Sequence, residues 1–365
     1  MIPGKLNIVI NPVSNYCDLN CDYCFHKDPA PSAVMTMDLA RQLLEQVFRL
    51  LEPGGEVAFT FQGGEPTLAG LQFYQAFTAL AEALCPPGCH IFWGIQTHGL
   101  HLDDHWIDLF VRYDFEVGIS VDGYQSVHDE HREDRNGEGT WKRVRTVLRR
   151  LREKDVVVNA LCVITKQSSR RPEMIYQSLR KMGVNSIFFC PCADPGAVRE
   201  PWSLTPPHLA KFMCRVFDVW YEEWEHGQYC YVNLFTDYIQ RLQGRSCEEC
   251  PAGDICADAI IIDGDGSIFP CEKYDSAQYR LGTVGESGVG AALRSEKYQA
   301  FLQRNRRKPA VCMDCKRFSL CGGGCRHDWV TDRKGVHNPY CSAYKRFFLY
   351  AYPRLVQIAN KTKET

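Results

Sequence analysis

The chain has 365 residues, 45% of them hydrophobic and 24% charged, and 44 acidic against 42 basic side chains leave a net charge of −2. These are ordinary globular values, so collagen, disorder and coiled coil are excluded, and the charge balance offers no general attraction to nucleic acid or an anionic membrane. No apolar run approaches the roughly 18 residues of a membrane span, and the opening Met1-Ile2-Pro3-Gly4-Lys5 lacks the basic-then-apolar layout of a signal peptide, so the expectation is a cytoplasmic protein with no membrane partner.

In chain order, a β-branched run at residues 7–10 opens the molecule. An amphipathic stretch follows, with Leu39, Leu43, Leu44, Val47, Phe48 and Leu51 on one face at helical spacing and Thr36 as its cap. Further strand-like runs stand at residues 57–61, 91–95, 115–120, 156–161 and 186–189, and residues 141–154 read as a helix with Val144, Val147, Leu148 and Leu151 inside. Six strands alternating with helices predict parallel βα units, hence an α/β barrel or an open α/β sheet, which periodicity alone does not separate. Pro195, Gly196, Pro201, Pro206 and Pro207 mark a linker-like stretch before an aromatic helix at residues 208–224. From Cys247 onward cysteine, Gly and Pro are dense, as in a small domain organised by metal, and an apolar aromatic helix at residues 344–358 closes the chain. The basic runs at residues 149–152 and 304–308 read as solvated faces, so no nucleic-acid partner is expected.

Nineteen cysteines are too many for packing alone in a reducing compartment. The count is odd and the spacings are clustered, which argues against a disulfide framework and for metal or iron–sulfur ligation. Cys17-x3-Cys21-x2-Cys24 follows the first strand directly, placing it in a loop at the active face of a βα barrel. Three thiolates can hold three irons of a [4Fe–4S] cube and leave the fourth open to a ligand; the bland alternative is a zinc knuckle short of one ligand. Toward the C-terminus stand Cys250-x5-Cys256-x14-Cys271 and then Cys312-x2-Cys315-x5-Cys321-x3-Cys325-x15-Cys341, for which two zinc sites are the alternative. Strand ends carry Gly63-Gly64-Glu65-Pro66, Gln96-Thr97-His98-Gly99 and Ser120-Val121-Asp122-Gly123, with Arg132 shortly after.

These motifs, in this order, resemble the radical SAM superfamily. The resemblance implies a partial (β/α)6 barrel in which Cys17, Cys21 and Cys24 hold a [4Fe–4S] cluster, with Gly63, Gly64, Glu65, Ser120 and Arg132 binding S-adenosylmethionine. The C-terminal spacing is similar to the SPASM domain, a cysteine-rich unit with two auxiliary [4Fe–4S] clusters, for a total of three. It implies an inner cluster on Cys250, Cys256, Cys271 and Cys325 and an outer one on Cys312, Cys315, Cys321 and Cys341. Eight cysteines remain and read as small hydrophobes, with Cys247 a possible substitute for Cys250. The domains expected are residues 1–225 for the barrel, 226–341 for a linker and the auxiliary-cluster domain, and 342–365 for the closing helix and tail.

Over residues 5–358 the chain most resembles the anaerobic sulfatase-maturating enzymes, notably at Phe61-Gln62-Gly63-Gly64-Glu65-Pro66-Thr67-Leu68 and at the closing helix. The resemblance implies oxidation of a cysteine or serine in a sulfatase to formylglycine by a 5′-deoxyadenosyl radical, with a peptide or protein substrate, a low-potential electron donor and a base for the side-chain proton. The base position holds Glu272 where that family has aspartate, His26 stands where it has a tyrosine, and His98 where it has asparagine. Either the pocket has compensated or the reaction has changed. The alternative is a ribosomal-peptide maturase that forms thioether or carbon–carbon side-chain crosslinks on a precursor peptide. An electron carrier without SAM chemistry would have no use for the strand-end motifs.

Overall fold

The computed structural model describes residues 4–26, 33–192, 200–245, 259–305, 308–333 and 335–362. Cys247, Cys250 and Cys256 lie outside the described residues, as do Pro195 and Gly196. In chain order the strands are β1 (Lys5–Asn11), β2 (Glu56–Phe61), β3 (His90–Thr97), β4 (Phe115–Ser120), β5 (Val158–Ile164), β6 (Ser186–Pro191), β7 (Tyr231–Val232), β8 (Ala259–Asp263), β9 (Ser267–Phe269), β10 (Gly282–Thr283), β11 (Val330–Asp332) and β12 (Gly335–His337). The chain divides into two compact units, one of residues 1–120, 131–158 and 257–303, the other of residues 121–130, 159–256 and 304–365.

In the first unit β1, β2, β3 and β4 pair in succession, all parallel. The helices Met37–Phe48, Leu71–Leu84 and Asp104–Tyr113 connect them. A late return of the chain extends this sheet on its other side: β8 pairs parallel with β1, β9 antiparallel with β8, and β10 antiparallel with β9. Strand periodicity selects the buried face. In β2, Val57, Phe59 and Phe61 are buried while Glu56, Ala58 and Thr60 alternate toward the other side. Phe59 meets Phe48, Phe77 and Trp93 at ring-centroid distances of 6.2, 5.8 and 5.6 Å, so strand and helix side chains interlock into an aromatic core.

In the second unit β5, β6 and β7 are parallel, and β11 with β12 forms a separate antiparallel pair. Its core lies among the helices Pro206–Glu225, Asn233–Leu242 and Cys341–Lys361, where Phe217, Phe235 and Phe347 pack with centroids 5.1 to 5.6 Å apart. Pro206 and Pro207 open the first of these helices, where a missing N–H costs nothing. No helix among the described residues is long and apolar enough to cross a membrane.

Local chemistry adjusts the sequence expectations. Strand β5 begins at Val158, not at Val156, because the preceding helix closes through a left-handed Asp155 (φ 56°) and a bond from Val156 N–H to Leu151 O, which absorbs both residues into the helix end. The closing helix starts at Cys341, ahead of the apolar run at residues 344–358. Thr36 does cap its helix: the side chain accepts from Leu39 N at 3.2 Å. Replacing Thr36 by alanine is expected to lower stability by about 1 kcal/mol, read as a reduced denaturation midpoint with an unchanged denaturant slope.

Candidate active site

The loop after β1 carries Cys17, Cys21 and Cys24, and the first unit holds it from two sides. On one side Gly64 N donates to Ser14 O and Glu65 N to Tyr16 O, both at 2.8 Å. This approach requires glycine. A Cβ on Gly64 would lie 2.2 Å from Tyr16 O, and Gly63 adopts φ +103° with Ser14 O 2.7 Å from its Cβ position. On the other side Asn20 N donates to Glu133 O and Asp22 N to His131 O, and Arg135 donates to Cys17 O at 2.7 Å. Cys21 is buried and the other two cysteines are half-buried.

Burial, aided by the charges of Glu65, Cys21 and Asp18 and opposed by a bond from Leu19 N, pushes the Cys17 thiol up to about 12. Metal binding at this loop would therefore release protons and relieve a thiol crowded by anions. Three cysteine sulfurs on one short loop are the donor set that soft iron sites use. Cys17 also forms a group with Asp18 and His98, whose ligand atoms all lie within 4.8 Å of one another. Asp18 and His98 are already bonded to each other at 2.9 Å, so their donor capacity is spent inside the protein.

Glu65 is 1% exposed and its carboxylate is enclosed by donors. Oε1 accepts from Thr67 N at 3.0 Å, Thr67 Oγ1 at 2.5 Å and Thr97 Oγ1 at 2.6 Å. Oε2 accepts from His98 N at 2.9 Å and lies 3.3 Å from His98 Nε2. The sequence explains the local shape: Glu65 caps the short helix Pro66–Ala69, with proline at its first position. His98 Nδ1 accepts from Leu100 N, which leaves Nε2 as the N–H that faces Asp18 and Glu65. Asp18 is bonded a second time, to His101 Nε2 at 3.0 Å. Burial works against the Asp18 charge, but the bonds from His101 and His98 hold its carboxyl well below the usual range. The same bond to Asp18, with its charge, raises His101.

At the end of β4, Ser120 Oγ accepts from Gln96 Nε2 at 3.0 Å. Arg132 is buried and stacks its guanidinium 5.4 Å from the centroid of Tyr23, on the cysteine loop. Gly63, Gly64, Glu65 and Arg132 thus all border that loop.

A second focus is Glu272, directly after Cys271. Gln62 Nε2 donates to both carboxylate oxygens, at 2.8 and 2.7 Å, across 210 residues of chain. His26 Nε2 lies 3.4 Å from Glu272 Oε1, and its Nδ1 donates to Asn15 Oδ1 at 2.7 Å. Two of the three positions at which the sequence departs from the family it resembles are therefore neighbours. Asn15, Gln62, Asp18 and His101 carry this geometry and were not singled out from sequence. Asp18 beside Cys17 and Gln62 beside the glycine pair had a local signal; Asn15 and His101 had none.

In the second unit Cys312, Cys315, Cys321 and Cys341 line one pocket, together with Arg317, Lys345 and others. Burial, with its three cysteine neighbours, pushes the Cys312 thiol up to about 11. The four residues that the resemblance assigns to one cluster do converge. Of the other expected set, Cys271 lies in the first unit and Cys325 in the second, and Cys250 and Cys256 lie outside the described residues.

Comparison with known proteins gives two family matches: the radical SAM superfamily over residues 11–179 and SPASM, an iron–sulfur cluster-binding domain, over residues 254–316. The cysteine-type anaerobic sulfatase-maturating enzyme of Clostridium novyi (strain NT) is 30% identical over 98% of both chains. The serine-type enzyme of Klebsiella aerogenes is 30% identical over 95% of this chain and 85% of its own. Among solved structures, native anSMEcpe with bound AdoMet and Cp18Cys peptide superposes with a TM-score of 0.92, at 30% identity, over 98% of this chain and 99% of its own.

The Asp18–His101 pair sets a pH-dependent brace. The raised histidine stabilises fully below its ordinary value of 6.5 and loses that contribution as pH rises through the raised value. The lowered aspartate contributes above its ordinary 3.8 and loses it only on strong acidification. His101→Ala is therefore expected to destabilise the metal-free protein most between those two values and least in alkaline buffer, as measured by denaturation across pH.

Proposed function

The chain belongs to the anaerobic sulfatase-maturating enzymes, radical SAM proteins with a SPASM domain, and on that premise we propose that it oxidises a cysteine or serine side chain of a sulfatase-type peptide to formylglycine. The observation that carries this reading is similarity along the whole chain: 30% identity over 98% of both this protein and a cysteine-type relative, which leaves no part of the relative's architecture uncovered by a large gap. A cytoplasmic site of action suits a chain with so many thiols to keep reduced. The proposed divisions are residues 1–225 for the catalytic barrel, 226–341 for the auxiliary domain and 342–365 for the closing helix and tail.

Cys17, Cys21 and Cys24 would hold a [4Fe–4S] cluster, with Cys250, Cys256, Cys271 and Cys325 on an inner auxiliary cluster and Cys312, Cys315, Cys321 and Cys341 on an outer one. Bound together, the first cluster and S-adenosylmethionine supply the one-electron chemistry that removes a hydrogen atom from the substrate. The chain's own residues do the rest. Gly63 and Gly64 let backbone approach the ligand, and the Glu65 carboxylate next to them, enclosed by its own donors, adds negative charge on the side that would receive an ammonium group. Ser120 and Arg132 complete the binding surface.

The two-electron oxidation also requires loss of the hydroxyl proton, giving the aldehyde, or of the thiol proton, giving a thioaldehyde that water then hydrolyses with release of hydrogen sulfide, and Glu272 is the proposed base. Its carboxylate reaches roughly 1.5 Å further than that of aspartate, the length of one C–C bond. Gln62, bonded to both oxygens, and His26, braced by Asn15, fix where that longer arm ends. A displacement of about 1 Å at a reacting group is enough to cost on the order of 10²-fold in rate, so this bracing decides whether glutamate works here.

The test uses anaerobically reconstituted enzyme, S-adenosylmethionine, a low-potential reductant, and peptides with Cys-x-Pro-x-Arg or Ser-x-Pro-x-Arg. Formylglycine peptide detected by mass, in step with 5′-deoxyadenosine, is expected; adenosine product with both peptides unchanged rejects the assignment. Glu272→Gln is expected to retain adenosine formation while peptide oxidation falls by about 10²-fold or more. Gly64→Ala is expected to abolish S-adenosylmethionine binding in equilibrium dialysis, because the added methyl collides with Tyr16 O.

A further inference from the structure

Asp18 directly follows the first loop cysteine, and two imidazoles hold its carboxylate there. Oδ1 accepts from His98 Nε2 at 2.9 Å and Oδ2 from His101 Nε2 at 3.0 Å. His98 is 5% exposed, and Leu100 N donates to its Nδ1, so the ring carries one N–H and no charge. That single N–H faces two acids, Asp18 Oδ1 at 2.9 Å and Glu65 Oε2 at 3.3 Å. The sulfur of Cys17, a carboxylate oxygen of Asp18 and a ring nitrogen of His98 all lie within 4.8 Å of one another. Two groups work against this negative charge. Arg135 donates to Cys17 O and lies over Tyr16, and Leu19 N lies 3.4 Å from Cys17 Sγ. Of the remaining cationic side chains beside the loop, Arg132 lies over Tyr23 and His131 is bonded to Asp22.

A fastening alone would be served by neutral amides, which make the same hydrogen bonds without bringing like charges together. What the carboxylate adds is negative charge at a ligand of an electron-accepting centre. Reduction gives an iron–sulfur centre one more negative charge, and a fixed anion beside it disfavours that state, so the potential falls. Placement counts as much as sign. A carboxylate free to turn into water is screened, whereas one held by a buried imidazole keeps its position. Resting on the reading that Cys17, Cys21 and Cys24 hold a [4Fe–4S] cluster, we propose that Asp18 lowers the reduction potential of that cluster, with His98 and His101 as the residues that position its charge. The cluster is then harder to reduce and, once reduced, a stronger one-electron donor to a bound sulfonium.

The test is a redox titration of the anaerobically reconstituted holoenzyme. Electron paramagnetic resonance follows the part of the signal that changes when S-adenosylmethionine is added, since a cluster with an open iron is the one that responds. Asp18→Asn keeps the shape and an oxygen for His98 but removes the charge. Its midpoint is expected to rise by about 59 mV or more, a tenfold change in the one-electron equilibrium, with iron content unchanged. Asp18→Glu keeps the charge and is expected to stay closer to wild type. Asp22→Asn removes a charge from the same loop, but one bonded to His131 and 43% exposed, and is expected to shift the midpoint less. An unchanged midpoint in iron-replete Asp18→Asn overturns the proposal. Equal shifts from Asp18→Asn and Asp22→Asn overturn it too, as does Asp18→Glu displaced as far as Asp18→Asn. Should Asp18→Asn bind less iron, His98→Asn decides, because loss of the buried donor frees the carboxylate: a rise is expected, and an unchanged midpoint overturns the proposal. Peptide oxidation plays no part in this readout, so a different peptide substrate leaves its outcome intact. A wild-type signal indifferent to S-adenosylmethionine would instead reject the cluster assignment beneath the proposal.

Discussion

The buried carboxylate of Glu65 is the tie on which the catalytic half of the molecule depends. Leaving a carboxylate inside a protein without donors is costly, and this one is surrounded: Thr67 at its own turn, Thr97 at the end of β3 and the backbone of His98 all donate to it. Through His98 the same set reaches Asp18, the neighbour of the first loop cysteine. One acidic side chain thereby fixes the ends of two strands and the cysteine loop against one another. Groups that act together within a few tenths of an ångström need this kind of shared anchor more than they need individual rigidity. It also explains why the loop tolerates two glycines. The backbone of Gly63 and Gly64 lies where any side chain would strike Ser14 or Tyr16, and the carboxylate next along the chain holds it there.

The second constraint is one of reach. Glu272 comes from the strand return that follows β9, while Gln62 follows β2 and His26 ends the cysteine loop. Bonds from both partners converge on a single carboxylate. A longer acid on a free arm would sample many positions. Gln62, bonded to both oxygens, removes most of that freedom, and the histidine brace, itself held by Asn15, closes one more side. The departures at residues 26 and 272 are thus a single adjustment of a shared pocket. His98 belongs to a different adjustment, the one that couples Asp18 to Glu65.

Thiol burial runs through both units. In the first, Cys17 is pushed up by burial and by the acids beside it; in the second, Cys312 is pushed up by burial and by three neighbouring cysteines. Groups of half-buried thiols gain little by packing and repel one another once ionised. A positively charged metal centre bound there would reverse that balance and turn a local liability of the metal-free chain into stabilisation of the loaded one. The Lys345 charge at the pocket of the second unit works against the upward shift of Cys312.

Much of this was legible in the sequence because its signals are short-range. A Cys-x3-Cys-x2-Cys loop cannot spread its sulfurs far, since each residue spans only about 3.5 Å of chain. Alternation of strand and helix patterns likewise dictates parallel βα units wherever the strands are buried, and Thr36 caps its helix through a bond three residues away. The grouping of Cys312, Cys315, Cys321 and Cys341 without Cys325 came from the family resemblance, since Cys325 stands as near in the chain as the others. What local pattern does not contain is which far-separated polar groups meet. The strand order β9-β8-β1-β2 brings Glu272 to Gln62 across 210 residues, and the packing of β3 against β2 directs Glu65 to Thr97 and His98 and not outward to a ligand. The sequence by itself determined the fold class and the metal-ligating residue types, because periodicity and spacing act over a few residues. Tertiary structure alone decided the partners of each buried acid, because desolvation forces such a group to take its donors from whatever chain the fold places beside it.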